Sequence, residues 1–405
     1  MKCGLLGEKL GHSYSPQIHA LLADYSYTLF EKQPNELEAF LIQGDFHGLN
    51  VTIPYKKAVI PYLSELSPVA AQLGAVNTVV RRKDGSLIGH NTDYFGFKTM
   101  VEASGLKPAG KKALVLGSGG VSNTAVAVME EMGSQVIVIS RSGENNYDNL
   151  GKHRDAAIIV NATPVGMYPN VDASPISLEM FPKLEGVLDL IFNPARTRLL
   201  QEAEARGLVA MNGLLMLVAQ AKESAEWFTG AAIDGQKIER IHQQLRDQMQ
   251  NIVLIGMPGC GKSTAAKELA RITGKEVVDA DAQIVATAGR SIPEIFADGG
   301  EDTFRKIETQ VLSELGKRSG IILATGGGCV TRKENYPLLH QNGRIFWLKR
   351  DIKALPTNGR PISQSTDLGK LYEARRPLYE AFADQVIENN GTVQQAAEKI
   401  LGRSL

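Results

Sequence analysis

The sequence predicts an α/β chain of several domains built on parallel sheets, and three observations predict it. One theme occurs three times, at residues 2–16, 111–133 and 251–274: a short β-branched run, a glycine-rich turn, then a helical pattern. In each, the fully apolar run reads as a buried parallel strand, and the i, i+3/i+4 apolar spacing after it reads as a covering helix. The chain has 405 residues, which at roughly 100–200 residues per domain makes two to four compact units. Its 40 glycines, without a low-complexity tract, suit a protein whose turns bring backbone close to a ligand.

Taken in order, Lys2–Leu6 is the first expected strand and runs into GEKLGHSYSP. KKALVL at 111–116 opens a second sheet, continued by strands at Gln135–Ser140, Ala157–Asn161 and Gly186–Leu190. Glycine and proline in SGLKPAGK mark the approach to it, so residues 1–100 form one lobe and 101–212 the next. Near residue 212 the chain is expected to return to the first lobe. AIDGQKIERIHQQLRDQMQ, polar on most faces, reads as a terminal helix or linker within 213–249. NIVLIG then opens a third unit, 250–405, with further strands at Ile321–Thr325 and Arg344–Leu348. Helical patterns between the strands predict doubly wound parallel sheets.

Lys plus Arg and Asp plus Glu both total 44, so no global field favours nucleic acid or an anionic membrane. An anionic ligand must be caught locally. The three cysteines, Cys3, Cys260 and Cys329, are odd in number and lack metal-ligand spacing, which suggests a reducing compartment, the cytoplasm. No apolar run approaches the ~18–20 residues that span a bilayer, so a soluble protein is expected. No obligate protein partner is evident.

Gly256–Thr264 reads GMPGCGKST, a complete GxxxxGK[ST] between an apolar strand and a helix. In such a P-loop the backbone of Gly259, Cys260, Gly261 and Thr264 wraps the β-phosphate, Lys262 neutralises β/γ charge, and Ser263 ligates Mg²⁺. ATP and Mg are therefore the expected ligands of this unit. Cys260 itself reads as a small side chain beside the cradle. A P-loop does not name the phosphoryl acceptor. Asp279 and Asp281 close the next apolar run, VVDAD, and are expected as alternate carboxylates at a strand's C-terminal edge. Arg305 stands in FRKIE on an expected helix, IILATGGG follows at 321–328, then come Arg360 in NGRP and Arg375 in RRPLY. Any lone arginine is most often a salt-bridged surface residue; the set is what informs.

That set resembles shikimate kinase over essentially all of 250–405. The resemblance implies that Asp281 holds and positions the attacked hydroxyl and that Asp279 holds Mg²⁺ through water. Arg305 and Arg375 would clamp the substrate carboxylate in bidentate fashion, with Gly326, Gly327 and Gly328 letting the backbone close on the ring. Arg360 would stabilise the transferring phosphate from a lid.

GSGGVS at 117–122 follows KALVL and opens a helix, a dinucleotide-type turn in which Ser122 replaces the third glycine. The next strand ends at Ser140-Arg141, where an NAD enzyme places an acidic residue. An arginine there favours a 2′-phosphate and hence NADP. Elsewhere GHSYSP, NVTIPYK, AVNT and NTD scatter hydroxyls, amides, one lysine and one aspartate through otherwise regular stretches. Each taken singly reads as a cap or turn.

Together with NATPVGM at 161–167 and GLLMLVAQ at 213–220, these segments resemble shikimate dehydrogenase over 1–248. On that resemblance the fold is a substrate-binding α/β lobe plus a Rossmann-like NADP lobe, followed by a P-loop nucleoside-monophosphate-kinase-like α/β domain. Ser13 and Ser15 would bind the substrate carboxylate, and Thr52, Asn77, Asn91 and Gln220 its hydroxyls. Lys56 and Asp93 would form the catalytic pair. Gly117, Gly119, Gly120, Arg141, Asn161, Thr163 and Gly213 would hold the cofactor. The sequence departs from the family in three places. About 18 residues between Ser142 and Asn161 are too few for the usual helix. Asn145 stands where a second basic residue is common, and Phe192 replaces a tyrosine.

The two resemblances imply one bifunctional enzyme, in which 3-dehydroshikimate is reduced with NADPH and the resulting shikimate is phosphorylated with ATP and Mg²⁺. Two other readings stand beside it. A dehydrogenase half reduced to a ligand-binding module is opposed by Lys56 and Asp93, and an NAD-dependent quinate dehydrogenase by Arg141.

Overall fold

The computed structural model describes residues 1–11, 13–355 and 368–402. The chain divides into two compact units. The first holds Met1–Met167, Asp172–Phe192 and Leu199–Leu245; the second holds Tyr168–Val171, Asn193–Arg198 and Arg246–Leu405.

The first unit contains two sheets. Strands β1 (Lys2–Gly7), β2 (Ser26–Glu31), β3 (Gly48–Val51), β4 (Glu65–Leu66), β5 (Thr78–Arg81) and β6 (Leu87–His90) are ordered β2-β1-β3-β5-β6-β4. The sheet is mixed, because β3–β5 and β5–β6 pair antiparallel. Only residues 82–86 join β5 to β6, too few for a crossover. Gly85 turns at φ 87, and the Asp84 carboxylate accepts from Ser86 N–H at 2.9 Å, so a hairpin forms. The second sheet, β7 (Lys112–Leu116), β8 (Gln135–Ile139), β9 (Ile158–Asn161), β10 (Gly186–Asp189) and β11 (Val209–Met211), is wholly parallel in the order β11-β10-β9-β7-β8. Between β8 and β9 stands a 3-10 turn, Tyr147–His153, in keeping with the short spacing there.

Helices Asp93–Ser104 and Leu214–Thr229 join the sheets. They approach so closely at Gly96 that a Cβ would lie 2.7 Å from the Met216 carbonyl oxygen, so the crossing needs glycine. The polar stretch after them is the helix Gln236–Met249, whose Ile238, Ile241 and Leu245 are buried at i, i+3, i+7 spacing.

The second unit is one parallel sheet of β12 (Asn251–Ile255), β13 (Glu276–Asp279), β14 (Ile321–Ala324), β15 (Gly343–Lys349) and β16 (Gln385–Glu388), ordered β13-β14-β12-β15-β16. β12 is buried along its whole length. Its neighbours β14 and β15 receive the chain on opposite sides, so the C-terminal end of β12 is the topological switch point, where α/β sheets bind ligands. The P-loop begins there.

Candidate active sites

In the first unit the Lys56 ammonium lies 2.6 Å from an Asp93 carboxylate oxygen, with 23% and 11% of their side chains exposed. The turn after β3 delivers Lys56, and the Val76 N–H donates to its carbonyl at 2.8 Å. Asp93 opens the helix Asp93–Ser104, where unsatisfied N–H groups and the helix dipole favour a carboxylate. Beside it Asn77 Oδ1 accepts from the Thr92 backbone at 2.7 Å, and its Nδ2 donates to Thr92 Oγ1 at 3.1 Å. Asn91 Nδ2 donates to the Ala75 carbonyl at 2.9 Å, and its buried Oδ1 has no partner among the described residues. Thr92 thus ties Asn77 to the segment carrying Asn91 and Asp93.

The serines join this cluster through Asn50, Thr78 and Thr92 of the segments NVTIPYK, AVNT and NTD, and through Tyr27 and Ser224, which sequence reasoning did not single out. Ser13 Oγ accepts from Ser15 N–H at 3.2 Å, and the Ser15 hydroxyl bonds the half-buried Tyr27. Tyr27 donates to Asn50 Oδ1 at 2.8 Å, Asn50 donates to Ser224 Oγ at 2.8 Å, and Ser224 Oγ bonds Thr78 at 2.8 Å and Thr92 at 2.9 Å. Asn50, Thr78, Thr92 and Ser224 are all buried. Gln220 sits one turn before Ser224 and donates to the Leu217 carbonyl of its own helix at 2.8 Å. Thr52 packs its methyl toward Gly7 and donates from N–H to the Leu6 carbonyl. Phe192 stands edge-on to Tyr14, ring centroids 6.0 Å apart.

In the second sheet Gly117 adopts φ 103, and a Cβ there would lie 3.1 Å from the Thr163 methyl. Gly119 and Gly120, at the start of helix Gly120–Glu131, face open space, and Gly119 adds no side-chain cap. Backbone N–H groups at such a helix start suit a pyrophosphate. Ser122, in place of a third glycine, is buried and donates to the Gly117 carbonyl at 2.6 Å. Asn161 and Thr163 lock one turn: Asn161 Oδ1 accepts from Thr163 N–H and Oγ1, and its Nδ2 donates to Asp189 at 3.0 Å. Gly213 runs against the chain just past β10, where a Cβ would fall 2.2 Å from the Leu190 carbonyl oxygen. Arg141 is exposed just past β8, and Asn145 Oδ1 accepts from the His153 ring at 2.9 Å.

In the second unit one cavity of about 710 Å³ is lined by Gly259, Gly261, Lys262, Ser263, Thr264, Asp279, Asp281, Arg305, Gly326, Gly327, Gly328 and Arg375. The sequence had scattered these over more than a hundred positions. Lys262 donates to the Gly256 and Met257 carbonyls at 2.8 and 3.1 Å, and Cys260 is buried behind the loop. Ser263 Oγ stands 3.4 Å from Asp279 Oδ2, side by side as two ligands of one cation would be.

The placement of Asp281 corrects the sequence expectation. It is not an alternate strand carboxylate but lies in the first turn of helix Ala280–Ala288. The reason is Asp279, whose Oδ1 accepts from Asp281 N–H at 3.0 Å and Ala282 N–H at 3.2 Å, capping a helix that therefore starts at once. Arg360 lies outside the described residues.

Each glycine of the triple has its own cause. A Cβ at Gly326 would lie 2.8 Å from Asp281 Oδ1, one at Gly327 would lie 2.6 Å from Pro258 Cδ, and one at Gly328 would overlap the Arg305 guanidinium at 2.0 Å. Arg305 is buried, and its Nη1 donates to Glu308 at 2.7 Å and its Nη2 to Glu301 at 2.9 Å. Glu308, fully buried and also lining the cavity, was missed in the sequence; the signal was its i, i+3 spacing from Arg305 in FRKIE. Burial pushes its carboxyl above the usual range, against the pull of Arg305. Arg375 Nη1 donates to the Gly327 carbonyl at 3.1 Å, and the Tyr379 hydroxyl donates to the same oxygen.

Comparison with known proteins decides the family. Residues 5–79 match the shikimate dehydrogenase substrate binding domain, and 258–404 match shikimate kinase. The shikimate dehydrogenase (NADP(+)) of Clostridium perfringens strain SM101 is 35% identical over 266 residues, 60% of this chain and 97% of that protein. The chain belongs to the shikimate dehydrogenase family. It carries a shikimate kinase domain fused behind it, and both halves are enzymes of the shikimate pathway. Among solved structures, the dehydrogenase half resembles a chorismate mutase/shikimate 5-dehydrogenase fusion protein from Clostridium acetobutylicum: TM-score 0.57 and 36% identity over 60% of this chain and 96% of that one. The Thermus thermophilus shikimate 5-dehydrogenase in complex with NADP(H) and shikimate gives TM-score 0.54 at 33% identity, covering 60% and 99%. The free, buried state of all three cysteines and the lack of any described helix long and apolar enough to cross a membrane agree with the composition.

Proposed function

We propose that the dehydrogenase half reduces 3-dehydroshikimate to shikimate with NADPH, and that the kinase half phosphorylates the 3-hydroxyl so formed with ATP and Mg²⁺. The observation that carries the first part is the Lys56–Asp93 contact at 2.6 Å beside the Asn77–Thr92–Asn91 cluster. NADPH, when bound on the Gly119–Gly120 turn, supplies the hydride. Lys56 Nζ hands a proton to the carbonyl oxygen as charge develops there, and Asp93 holds the ammonium in place. The amides of Asn77 and Asn91 bond the neighbouring hydroxyls, and Ser13 and Ser15 take the carboxylate. Arg141, exposed past β8, offers the charge that favours the 2′-phosphate of NADP over NAD.

In the kinase half Asp281 orients the attacked hydroxyl. Arg305 and Arg375 receive the substrate carboxylate, and Lys262 holds the nucleotide phosphates. Ser263 and Asp279 fit a Mg²⁺ ion, whose charge offsets that of the phosphates. Arg360 joins this reading as a phosphate ligand. The test is Lys56→Ala in the full chain. It loses nicotinamide oxidation by about 10²-fold or more, yet phosphorylates added shikimate at the wild-type rate. Loss of both activities in a folded variant, or faster oxidation of NADH than NADPH by the wild type, contradicts the assignment.

A further inference from the structure

We infer that Arg350 is a nucleotide ligand of the kinase half, its guanidinium supplying charge to the phosphates of ATP; this rests on the kinase reading above. Arg350 directly follows β15, whose Trp347 pairs with Ile255, the last residue before the P-loop. The Leu348 carbonyl presses on the loop's first turn, 2.5 Å from where a Cβ on Gly256 would stand.

The backbone around Arg350 is held from both sides. Asn389 N–H donates to the Lys349 carbonyl at 2.7 Å, and Asp351 N–H donates to the Asn390 side chain at 2.9 Å. Asn389 also donates from its side-chain amide to the Cys260 carbonyl at 2.7 Å. Asn389 therefore ties the backbone beside Arg350 to the P-loop, so the side chain leaves for the cavity from a fixed point.

Its partners distinguish it from the other cations of the cavity. Lys262 donates to two loop carbonyls, Arg305 to two carboxylates and Arg375 to the Gly327 carbonyl. Arg350 lines the same cavity, and its Nε is buried without a hydrogen-bond partner among the described residues. A desolvated charged donor is retained where a ligand completes it. Charge argues the same way. Among the described residues four cationic side chains line the cavity against three carboxylates. Without Arg350 the two signs would be equal in number, although the cavity must take a nucleotide–metal complex and a carboxylate-bearing acceptor, both anionic.

The experiment compares Arg350→Met and Arg350→Lys in the full chain, measuring ADP binding by calorimetry and KM for ATP and for shikimate. Arg350→Met should raise the ADP Kd and the ATP KM about tenfold, as loss of one charge-assisted contact would. Arg350→Lys should recover part of this, and the shikimate KM should stay within about twofold. An ADP Kd unchanged in both variants, or an effect confined to the shikimate KM, overturns the inference. Failure of the kinase reading is separately visible: wild-type chain would bind ADP yet leave shikimate unphosphorylated, and the ADP comparison would still judge Arg350.

Discussion

Lys56 and Asp93 meet at 2.6 Å although 37 residues separate them, one leaving the turn after β3 and the other opening the helix that leaves the substrate lobe. Asp93→Asn keeps the shape and a hydrogen bond to Lys56 but removes the charge that steadies the ammonium. Its kcat for reduction should fall by about 10²-fold, while phosphorylation of added shikimate is untouched. Unchanged reduction would remove Asp93 from the mechanism.

Ser224 Oγ stands at the centre of the buried network, within 2.9 Å of Asn50, Thr78 and Thr92. Ser224→Ala leaves those groups without a shared partner, at a cost of about 1–3 kcal/mol in stability. Because Thr92 carries Asn77 and neighbours Asn91, the KM for shikimate should rise more than the KM for NADP. Ser224→Thr, which keeps the oxygen, should restore most of it. Equal rises for both substrates would mean that the network serves the fold and not the site.

Two glycines make opposite predictions. Gly119 faces open space in extended backbone, so Gly119→Ala should leave the thermal midpoint unchanged and weaken NADP binding, because the Cβ occupies room meant for the cofactor. Gly328→Ala should instead displace the Arg305 guanidinium, raising the KM for shikimate about tenfold or more with ADP binding retained. A Gly328→Ala enzyme with normal shikimate KM would show that Arg305 does not meet the substrate.

The substrate lobe should respond to pH through buried groups. Burial pulls His90, stacked on Trp227, down to about 4 and His19 down to about 3. Each folded pKa lies below the unfolded value, so their contribution to stability is complete above about 6.5 and is lost as pH falls through the folded pKa. Glu223, desolvated and close to Glu226, is pushed up to about 7. Its contribution has the opposite sign: complete below about 4.5, it is lost as pH rises through 7. Thermal midpoints should therefore fall less steeply on acidification in His90→Gln, and Glu223→Gln should gain stability at pH 8 relative to pH 5. Parallel pH profiles for wild type and His90→Gln would contradict this.

The sequence made much of this legible where local chemistry decides. Continuous apolar runs became β7, β8, β12, β14 and β15, and GMPGCGKST became the loop at the switch point. It failed where partners are chosen by the tertiary fold. The run VVDAD looked like strand throughout, but the Asp279 side chain satisfies two backbone N–H groups and turns the chain into a helix before Asp281. The hairpin of β5 and β6 was hidden because polar Arg81 and Arg82 interrupt its pattern. Ser224 in a helical sequence looks like any serine, and only packing against Asn50 and Thr92 gives it a role.

The most direct test of two linked activities in one chain is to give the intact protein 3-dehydroshikimate, NADPH, ATP and Mg²⁺, following nicotinamide absorbance and product mass together. The account predicts NADPH oxidation matched by the appearance of shikimate 3-phosphate. No oxidation of NADPH or NADH while added shikimate is phosphorylated would contradict the dehydrogenase assignment, and shikimate accumulating without phosphate would contradict the kinase assignment.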